Sequence, residues 1–513
     1  MHDNVKKIKR VLISVYDKSY LSHLVSTFKK YEVEIISTGG TKKAIENLGA
    51  NVTSVESITK YPSILGGRVK TLHPNIFGGI LNRADIQSDQ KDMDQFNIHT
   101  IDMVIVDLYP FQEAVEQNAD NSEIIEKIDI GGVSLIRAAA KNYKDILIVP
   151  STEHFDLANN LMISNHCCTN IKQRLSFAQK AFNVTSNYEY NIATYFDSTN
   201  KENPKTPNTF KQNILSSKKL RYGENPHQDG VYYGKLNELF DQLNGKELSY
   251  NNLLDIDAAV NLIEEFEEPS FGILKHNNAC GFASNKNLED AWDQALAGDP
   301  ISAFGGVLIT NNNIDLKIAS KINTLFFEVL IAKDFSNEAL DLLKSKKSRI
   351  ILKKKNANLG EMSFRTVLNG VLLQTKDLIT DGHDLKLMSN LDVNTNQMSD
   401  LIFASKICKH TKSNTIVLAK NKQLLASGCG QTSRVDALRQ AIIKAKHFGF
   451  SLENAVMASD AFFPFPDCVE IAEKEGIRAV IQPGGSKNDQ LSIDYCNANN
   501  MAMIFTGTRH FKH

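Results

Sequence analysis

The chain has 513 residues, which is too many for one ordinary hydrophobic core and predicts two to four domains. Hydrophobic residues make up 42% of the chain and charged residues 23%, a composition that excludes disordered and fibrous proteins. The formal net charge of −1 excludes a global basic field, so we expect no nucleic-acid partner and anion binding only through local groups.

The first apolar run, Val11–Val15, is shorter than the roughly seven apolar residues of a signal-peptide core. No stretch approaches the ~18 apolar residues of a membrane span. The seven cysteines are scattered without a CxxC pair, which is typical of reduced thiols. We therefore expect a cytoplasmic protein with no membrane association.

The first 150 residues alternate between strand and helix patterns, which predicts an α/β fold with a parallel sheet and crossover helices. Ligands of such sheets bind in a crevice at the carboxyl ends of the strands. In chain order, the predicted elements are a strand at Val11–Val15, a helix with its apolar face on Leu21, Leu24, Val25 and Phe28, a strand at Val33–Ile36, a helix at Thr41–Leu48, a strand at Ile101–Val106, a helix at Val133–Asn142 and a strand at Ile146–Val149.

Residues Ser151 to about Ser198 have a helical pattern, and a polar segment with two prolines follows them. We take residues 198–209 as the linker between a first domain, 1–197, and a second α/β region, 210–513. The lysine-rich stretch Lys344–Lys355 is predicted to be a solvated surface, and no internal sequence repeat is evident.

Three polar segments of the first domain follow predicted strands. Glycines and hydroxyls at a helix start, together with basic side chains, form an arrangement that binds anions. Each segment alone is explained equally well by a helix cap or a basic surface loop, but their convergence favours a phosphorylated small molecule. The candidate residues are Ser14, Lys18, Ser37, Thr38, Gly39, Arg68, Lys70 and Thr71.

Tyr109, Asp129 and Lys141 are acid–base or oxyanion-stabilising residue types that lie near the same strand ends. Individually each has a structural explanation, such as a core aromatic for Tyr109 or a helix C-terminal charge for Lys141.

The second region contains a dense polar turn, Leu220–Gln228, that includes Arg221 and Tyr222. Lys275 and His276 follow a short strand, where both side chains can reach one pocket; alone, a buried His and a surface Lys would be the simpler explanation. Several glycine-rich turns carry single polar groups and exposed aromatics, which suits a flat heteroaromatic ligand. No P-loop, HExxH or zinc-deaminase motif is present, so no metal is expected.

Taken in order, these segments resemble the bifunctional AICAR transformylase/IMP cyclohydrolase (PurH) family over most of the chain. SVYDKS, STGGT, GGRVKTLHP, LYPF, DIGG and AAAKN resemble the cyclohydrolase half, and LRYGENPHQ, LSYNN, KHNNACG, DPISAFGG, SDAFFPFPD, QPGGS and TGTRHFKH the transformylase half. The resemblance implies a methylglyoxal-synthase-like first domain, a cytidine-deaminase-like second region with two similar subdomains, and a homodimer.

The resemblance also implies the chemistry: a formyl group passes from 10-formyltetrahydrofolate to the 5-amino group of AICAR, and formyl-AICAR then closes to IMP with loss of water. The implied transformylase residues are Lys275, His276 and Asn414, and the implied cyclohydrolase residues are Lys70, Tyr109, Asp129 and Lys141. The implied substrate-binding positions are Ser14, Lys18, Ser37, Thr38, Gly39, Arg68, Thr71, Arg221, Tyr222, Phe304, Gly305, Arg434, Asp467, Arg509 and Phe511.

Three residues depart from the family pattern: Asp107, where Asn is usual, Ala279, where Pro is common, and Thr432, where Met or Gln is usual. Asp107 would place a carboxylate near the bound anion. Two other functions compete with the enzyme: a nucleotide-sensing regulatory protein on the same folds, and a zinc-free remnant of a deaminase. A sensor needs binding but no base, so the Lys275–His276 pair counts against it.

Overall fold

The computed structural model describes residues 4–199, 209–379, 381 and 384–513. The chain divides into two compact units, Met1–Asn213 and Ile214–His513. Most of the predicted linker lies outside the described residues, and Ser198 and Thr199 continue a long helix instead. No helix in these described ranges is both long and apolar enough to cross a membrane.

The first unit alternates strands and helices, as the apolar periodicity predicts. Its strands are β1 Lys6–Lys7, β2 Arg10–Ser14, β3 Glu34–Ser37, β4 Val52–Ser54, β5 Met103–Val106, β6 Leu147–Val149 and β7 Cys168–Thr169. Its helices are α1 Leu21–Lys30, α2 Gly39–Asn47, α3 Val55–Thr59, α4 Pro74–Leu81, α5 Gln87–Gln95, α6 Phe111–Glu116, α7 Asn121–Glu126, α8 Gly131–Lys141, α9 Phe155–Ser164 and α10 Ile171–Thr199, with 3₁₀ turns at Leu65–Gly67 and Thr152–His154.

Five strands of this unit form a parallel sheet in the order β4-β3-β2-β5-β6. The chain leaves β2 for β3 on one side and returns to β5 on the other, so the strand order reverses at β2. The carboxyl ends of β2, β3 and β5 therefore border one crevice, where parallel sheets bind ligands. The predicted parallel α/β fold of this region is confirmed.

Both faces of the sheet are covered, as the continuous apolar strands require. Val11 and Ile13 pack with α1 and α9, whereas Leu12 and Val104 pack with α4 and α8 on the opposite face. Successive strand residues point to opposite faces, so one short apolar run contributes side chains to the hydrophobic cores on both sides of the sheet.

Arg174 of α10 is a fully buried cation in this unit. Its guanidinium donates to the carbonyl oxygens of Asn4, Tyr143, Lys144 and Thr169 at 2.7–3.0 Å and to the Thr169 hydroxyl at 3.1 Å. One planar donor group thus satisfies backbone carbonyls from three separate segments.

The second unit contains the remaining elements. Its strands are β8 Ser217–Lys219, β9 Val231–Tyr233, β10 Phe240–Asn244, β11 Ser270–Lys275, β12 Asn278–Ser284, β13 Val307–Thr310, β14 Asn313–Ile314, β15 Val329–Ala332, β16 Asp334–Phe335, β17 Ile350–Lys354, β18 Met362–Val367, β19 Gly370–Thr375, β20 Lys386–Leu387, β21 Ile416–Lys420, β22 Gln423–Gly428, β23 Val456–Ser459, β24 Ala479–Gln482 and β25 Ala502–Phe505. Its helices are α11 Leu236–Leu239, α12 Tyr250–Ile263, α13 Leu288–Gly298, α14 Leu316–Asn323, α15 Asn337–Lys344, α16 Thr395–His410, α17 Arg434–His447, α18 Asp467–Lys474 and α19 Asp489–Ala498.

Twelve strands of this unit form one mixed sheet, in the order β10-β17-β15-β13-β11-β12-β22-β21-β23-β24-β25-β20. Its two halves have the same plan: an edge strand, a helix, an antiparallel hairpin, and three parallel strands separated by helices. The halves meet where β12 pairs with β22. The unit therefore contains a structural duplication that no sequence repeat reveals.

A glycine in the second strand of each hairpin lets a helix lie directly against it. A methyl group at Gly281 of β12 would lie 1.9 Å from the carbonyl oxygen of Ala295 in α13. A methyl group at Gly428 of β22 would lie 1.9 Å from the carbonyl oxygen of Ala437 in α17. Both positions exclude any Cβ because the obstruction is backbone.

The lysine-rich stretch predicted to be a solvated surface proves to include β17, whose residues Ile350–Leu352 are buried between β10 and β15. Three apolar residues suffice for a strand that is paired on both sides. The prediction from composition was wrong here because the many lysines on either side outnumber these three residues.

We expect Arg174→Met to destabilise the first unit by roughly 3–5 kcal/mol, because four backbone carbonyls, one of them in a fully buried hydrogen bond, lose their donor. Thermal and urea unfolding of the full chain measures this change. Lys172→Met on the same helix is the matched control, since Lys172 is exposed. Equal stability of the two variants would contradict this role for Arg174.

Candidate active sites

The crevice of the first unit brings two lysines to the glycine turn that precedes α2. A methyl group at Gly39 would lie 3.6 Å from Lys70 Nζ, and one at Gly40 would lie 3.6 Å from Lys18 Cε. Gly39 has φ +55°, a conformation that glycine adopts without strain. Two lysine side chains thus lie beside the N–H groups of a helix start, an arrangement suited to binding an anion.

The predicted hydroxyl ligands Ser37 and Thr38 are buried and bonded within the protein. Ser37 Oγ donates to Ile13 O at 2.7 Å, and Thr38 Oγ1 donates to Glu56 Oε1 at 2.8 Å. Their side chains therefore hold the turn, while its backbone and the lysines present the binding groups.

Arg68 and Thr71 border the same crevice in different ways. The guanidinium of Arg68 forms an exposed ion pair with Glu126. A methyl group at Gly131 would lie 3.5 Å from Thr71 Oγ1, so this hydroxyl lies beside the start of α8. Ser14 is the last residue of β2 and is half-buried.

Asp129 and Tyr109 are a pair of titratable groups at this edge. Asp129 Oδ1 accepts Gly132 N–H at 2.6 Å, and burial raises the pKa of Asp129, opposed by that hydrogen bond and by the charge of Lys70. Burial also raises the pKa of Tyr109, and the negative charge of Asp129 adds to the increase. The phenol therefore stays protonated and can serve as a donor.

Lys141, which the family resemblance adds to this set, is the last residue of α8. Asp129 lies just before the first residue of that helix, and ten residues of rise separate the helix ends by about 15 Å. The membership of Lys141 in the Lys70–Tyr109–Asp129 group stays a prediction from the family resemblance.

Asp107, the departure from the family pattern, holds the loop after β2. Its carboxylate accepts the N–H of Asp17 at 2.8 Å and also that of Tyr16. Burial raises the pKa of Asp107, and these two hydrogen bonds oppose that rise. Both oxygens of the Asp107 carboxylate thus accept hydrogen bonds from the protein's own backbone.

In the second unit, Lys275 and His276 lie at the turn between β11 and β12. Lys275 Nζ donates to Phe304 O at 2.8 Å, next to Gly305, so the structure brings these three predicted residues together. His276 is exposed and has φ +53°. Lys275 and His276 line a cavity of about 290 Å³ that also includes Ala279.

A chain of hydrogen bonds connects this turn to Asn414. Asn278 donates from Nδ2 to His276 O at 2.9 Å and accepts Lys412 N–H at 3.2 Å. Two residues further on, Asn414 Nδ2 donates to the carbonyls of Gln431 at 3.0 Å and Thr432 at 3.2 Å. Both amide hydrogens of Asn414 are thus used, and its Oδ1 keeps accepting capacity.

Arg434, Arg509 and Phe511 form a second group in this unit. The guanidinium carbons of Arg434 and Arg509 lie 5.7 Å and 4.3 Å from the centroid of the Phe511 ring. Arg434 Nη2 donates to the buried Asp460 Oδ1 at 3.2 Å. Two guanidinium groups around one ring suit a ligand that is both anionic and aromatic.

Three other predicted residues occupy separate places. Arg221 lies over the ring of Tyr222, with 5.7 Å between guanidinium carbon and centroid. Asp467 begins α18 and accepts Cys468 N–H at 2.8 Å. The hydrogen bonds that connect His276 with Asn414 do not extend to them.

A larger cavity of about 1320 Å³ lies between α12, the β18–β19 hairpin and the C-terminal residues. It includes Phe511 but neither Lys275 nor His276. The larger cavity is lined by His410 and His513, whereas the Lys275–His276 pair that the family resemblance implies lines the smaller one. Within the part of the chain that the structure describes, no group of three or more His, Cys, Asp or Glu side chains is arranged to hold a metal ion.

Comparison with known proteins first defines the class. A family model described as an MGS-like domain matches residues 21–134, within the parallel-sheet unit. The chain thus has an α/β MGS-like domain followed by a larger α/β unit.

The particular family follows from a second match. The family model described as "AICARFT/IMPCHase bienzyme" matches residues 139–444, more than half of the chain, and the chain belongs to this family. Its activities are those of an AICAR formyltransferase and an IMP cyclohydrolase, in the last two steps of purine synthesis.

Similar full-length proteins carry one description. "Bifunctional purine biosynthesis protein PurH" of Bacteroides thetaiotaomicron is 55% identical over 99% of each chain. The protein of that name from Acetivibrio thermocellus is 43% identical over 99% of this chain and 100% of its own. A solved structure described as "Crystal structure of ForH" aligns with 37% of this chain and 97% of its own at 27% identity and a TM-score of 0.33. Nothing in these comparisons supports the nucleotide-sensing alternative.

Sequence reasoning missed His510, which anchors the segment that carries Arg509 and Phe511. His510 is 4% exposed, and its ring nitrogens lie 2.5 Å from Asp377 Oδ2 and 3.3 Å from Asp381 Oδ1. Burial lowers the pKa of His510, but the two carboxylates outweigh burial and raise that pKa to about 9. Neither carboxylate is near His510 in sequence, so no local pattern indicates the contact.

We expect this anchor to make stability depend on pH. The folded-state pKa of His510 is about 9, above the value of about 6.5 for an unfolded His, so its stabilisation is complete below about pH 6.5 and is lost as pH rises through about 9. The unfolding free energy of the wild type minus that of His510→Gln should therefore fall by on the order of 2–3 kcal/mol over that range. A difference that stays constant from pH 6 to pH 10 would contradict the assignment.

Proposed function

We propose that Lys275, His276 and Asn414 carry out formyl transfer to AICAR, and that Lys70, Tyr109 and Asp129 close the ring of formyl-AICAR to IMP. The observation that supports this assignment most is the hydrogen-bonded connection from the His276 turn through Asn278 and Lys412 to the Asn414 segment. This connection supports a shared site for residues that lie 138 positions apart in the chain.

Formyl transfer needs a base because the AICAR amine is deactivated by conjugation with its ring. His276 is exposed and is the residue type suited to take a proton near neutral pH. Lys275 uses one ammonium hydrogen on Phe304 O, which leaves two for the oxygen of the formyl group as negative charge develops there. Asn414 Oδ1 can orient a donor in the same site.

The nucleotide and the folate would be held by the remaining predicted residues of the second unit. Arg434, Arg509 and Phe511 provide charge and an aromatic surface. Arg221, Tyr222, Phe304, Gly305 and Asp467 complete the set that the family resemblance indicates.

Ring closure is intramolecular, so holding the formyl group against the carboxamide supplies much of the rate. Lys18 and Lys70 beside the Gly39–Gly40 turn would bind the phosphate, with Ser14, Arg68 and Thr71 around it. Tyr109, whose pKa is raised by burial, would donate a proton, and Asp129 would accept one. Lys141 belongs to this proposal only through the family resemblance.

The formyl donor that this function implies is 10-formyltetrahydrofolate, with AICAR and formyl-AICAR as the other small-molecule substrates. We propose that both reactions proceed without a metal, that the protein is a cytoplasmic homodimer, and that it has no nucleic-acid or membrane partner. The lack of a metal-ligand pattern in the sequence and the near-zero net charge support these points.

We expect His276→Ala to reduce formyl transfer by about 10²–10⁴-fold, the usual contribution of a general base. Nucleotide affinity should change much less, because the cationic groups around Phe511 remain. Cyclisation of supplied formyl-AICAR should be unchanged, since it is assigned to the other unit. Both rates, AICAR affinity and the melting temperature are measured on one purified variant.

A purely structural His276 predicts another result. Its replacement would then lower the melting temperature and weaken AICAR binding in proportion to the rate. Absence of IMP formation by the wild type from AICAR and formyl donor would favour the nucleotide-sensing alternative instead.

We expect both activities to survive exhaustive chelation with EDTA, because no step in this proposal requires a divalent cation. Formyl transfer and cyclisation are assayed before and after chelation. Loss of either activity that Zn²⁺ restores would contradict the metal-free mechanism.

A further inference from the structure

The two hairpins of the duplicated sheet have the same turn. In the β11–β12 hairpin the connecting residues His276 and Asn277 have φ +53° and +65°. In the β21–β22 hairpin the connecting residues Asn421 and Lys422 have φ +53° and +52°. Two-residue turns with positive φ at both positions suit the twist of antiparallel hairpins but strain side chains other than Gly, Asn and Asp.

The same support holds each turn. Helices α12 and α16 begin with reciprocal capping boxes at Ser249 and Asn394. The sixth residue after each cap is an aspartate, Asp255 or Asp400. Its Oδ1 accepts the N–H of the second turn residue, at 2.6 Å from Asn277 and 2.7 Å from Lys422, and the separation in sequence is 22 residues in both halves.

A second contact is also repeated. Lys275 and Lys420 each end the first strand of their hairpin, and each ammonium donates to a carbonyl three residues before the next strand of the sheet. These carbonyls are Phe304 O at 2.8 Å and Glu453 O at 2.7 Å. The two turns therefore share these contacts, and Asp400 in addition accepts the N–H of Asn421 at 2.8 Å. The first turn residue is His276 in one hairpin and Asn421 in the other, so only the first hairpin presents a candidate base at this position.

The conformation of His276 depends on this support. Within the described ranges, no hydrogen bond to the His276 ring is seen, so the position of the imidazole follows from its backbone. That backbone is held on two sides: Asp255 accepts the N–H of the following residue, and Asn278 Nδ2 donates to the His276 carbonyl. Histidine pays a conformational penalty at positive φ, which these contacts offset.

We propose that Asp255 is a positioning residue for formyl transfer: through the Asn277 N–H it fixes the turn that presents His276 to the cavity beside Lys275. This inference rests on the proposed role of His276 as the base. The inference concerns the acceptor oxygen of Asp255, which holds the Asn277 N–H. The carboxylate also interacts electrostatically with His276 and Lys275, and Asp255→Asn separates the two effects because its amide oxygen accepts a hydrogen bond without a charge.

The test compares Asp255→Ala, Asp255→Asn and the matched control Asp400→Ala in the full-length protein. We expect Asp255→Ala to reduce the kcat of formyl transfer by about 10–10²-fold, since a displacement of about 1 Å has that effect. KM for AICAR should change less than about threefold, because no nucleotide-binding residue moves. Asp255→Asn should restore most of the kcat, since its amide oxygen accepts the same hydrogen bond.

Asp400→Ala removes the corresponding hydrogen-bond acceptor from the β21–β22 turn, which carries no candidate base. It should lower the melting temperature at least as much as Asp255→Ala does, because Asp400 accepts the N–H groups of both turn residues, and it should leave kcat unchanged. An equal loss of kcat in the two Ala variants would overturn the inference, because the support would then be only structural. Failure of Asp255→Asn to restore kcat would overturn it as well. If Asp255→Ala does not fold, Asp255→Ser, too short to reach Asn277, takes its place.

The His276→Ala background separates this inference from the proposed function. If Asp255 acts through His276, adding Asp255→Ala to His276→Ala should cause no further loss of rate. A large effect of His276→Ala with none of Asp255→Ala would overturn only the role of Asp255. No effect of His276→Ala would instead remove the base from the proposed function.

Discussion

The second unit depends on the antiparallel pairing of β12 with β22, which makes a single sheet from two similar halves. Because the two strands run in opposite directions, the start of β12 lies near the end of β22. The loop after β22 and the residues before β21 therefore lie beside the His276 turn, and the hydrogen bond from Lys412 N to Asn278 joins them. The pairing thus completes a site in one half with residues of the other.

Duplication also explains how a turn with positive φ can present His276, the proposed base. Both halves contain a two-residue hairpin turn whose backbone N–H donates to an aspartate of the preceding helix. The supported turn therefore belongs to the duplicated fold and is not specific to the proposed reaction. The chain then needs only a histidine at one of the two turns. The site gains a rigid support, because strand pairing and a helix-borne carboxylate hold the turn from separate elements.

Buried charges connect the remaining parts of each site. Arg434 with Asp460, and His510 with Asp377 and Asp381, pair charges that would be costly to bury alone. Residues Arg509 and Phe511 alternate with His510, so anchoring the histidine on one side presents its neighbours on the other. In the first unit, the buried guanidinium of Arg174 is satisfied by backbone carbonyls around α10 instead of by a carboxylate.

The sequence alone determined the alternation of strands and helices in the first unit, the location of polar segments at strand ends, and the family. These features are local, because apolar periodicity and motif spacing lie within a few residues. Only the tertiary structure showed that Ser37 and Thr38 use their hydroxyls within the protein and that Ile350–Leu352 form a buried strand. Only it showed that Asp255 and Asp400 support equivalent turns. Such contacts join residues tens of positions apart, and their partners are set by strand order and helix packing, which no local pattern in the chain encodes.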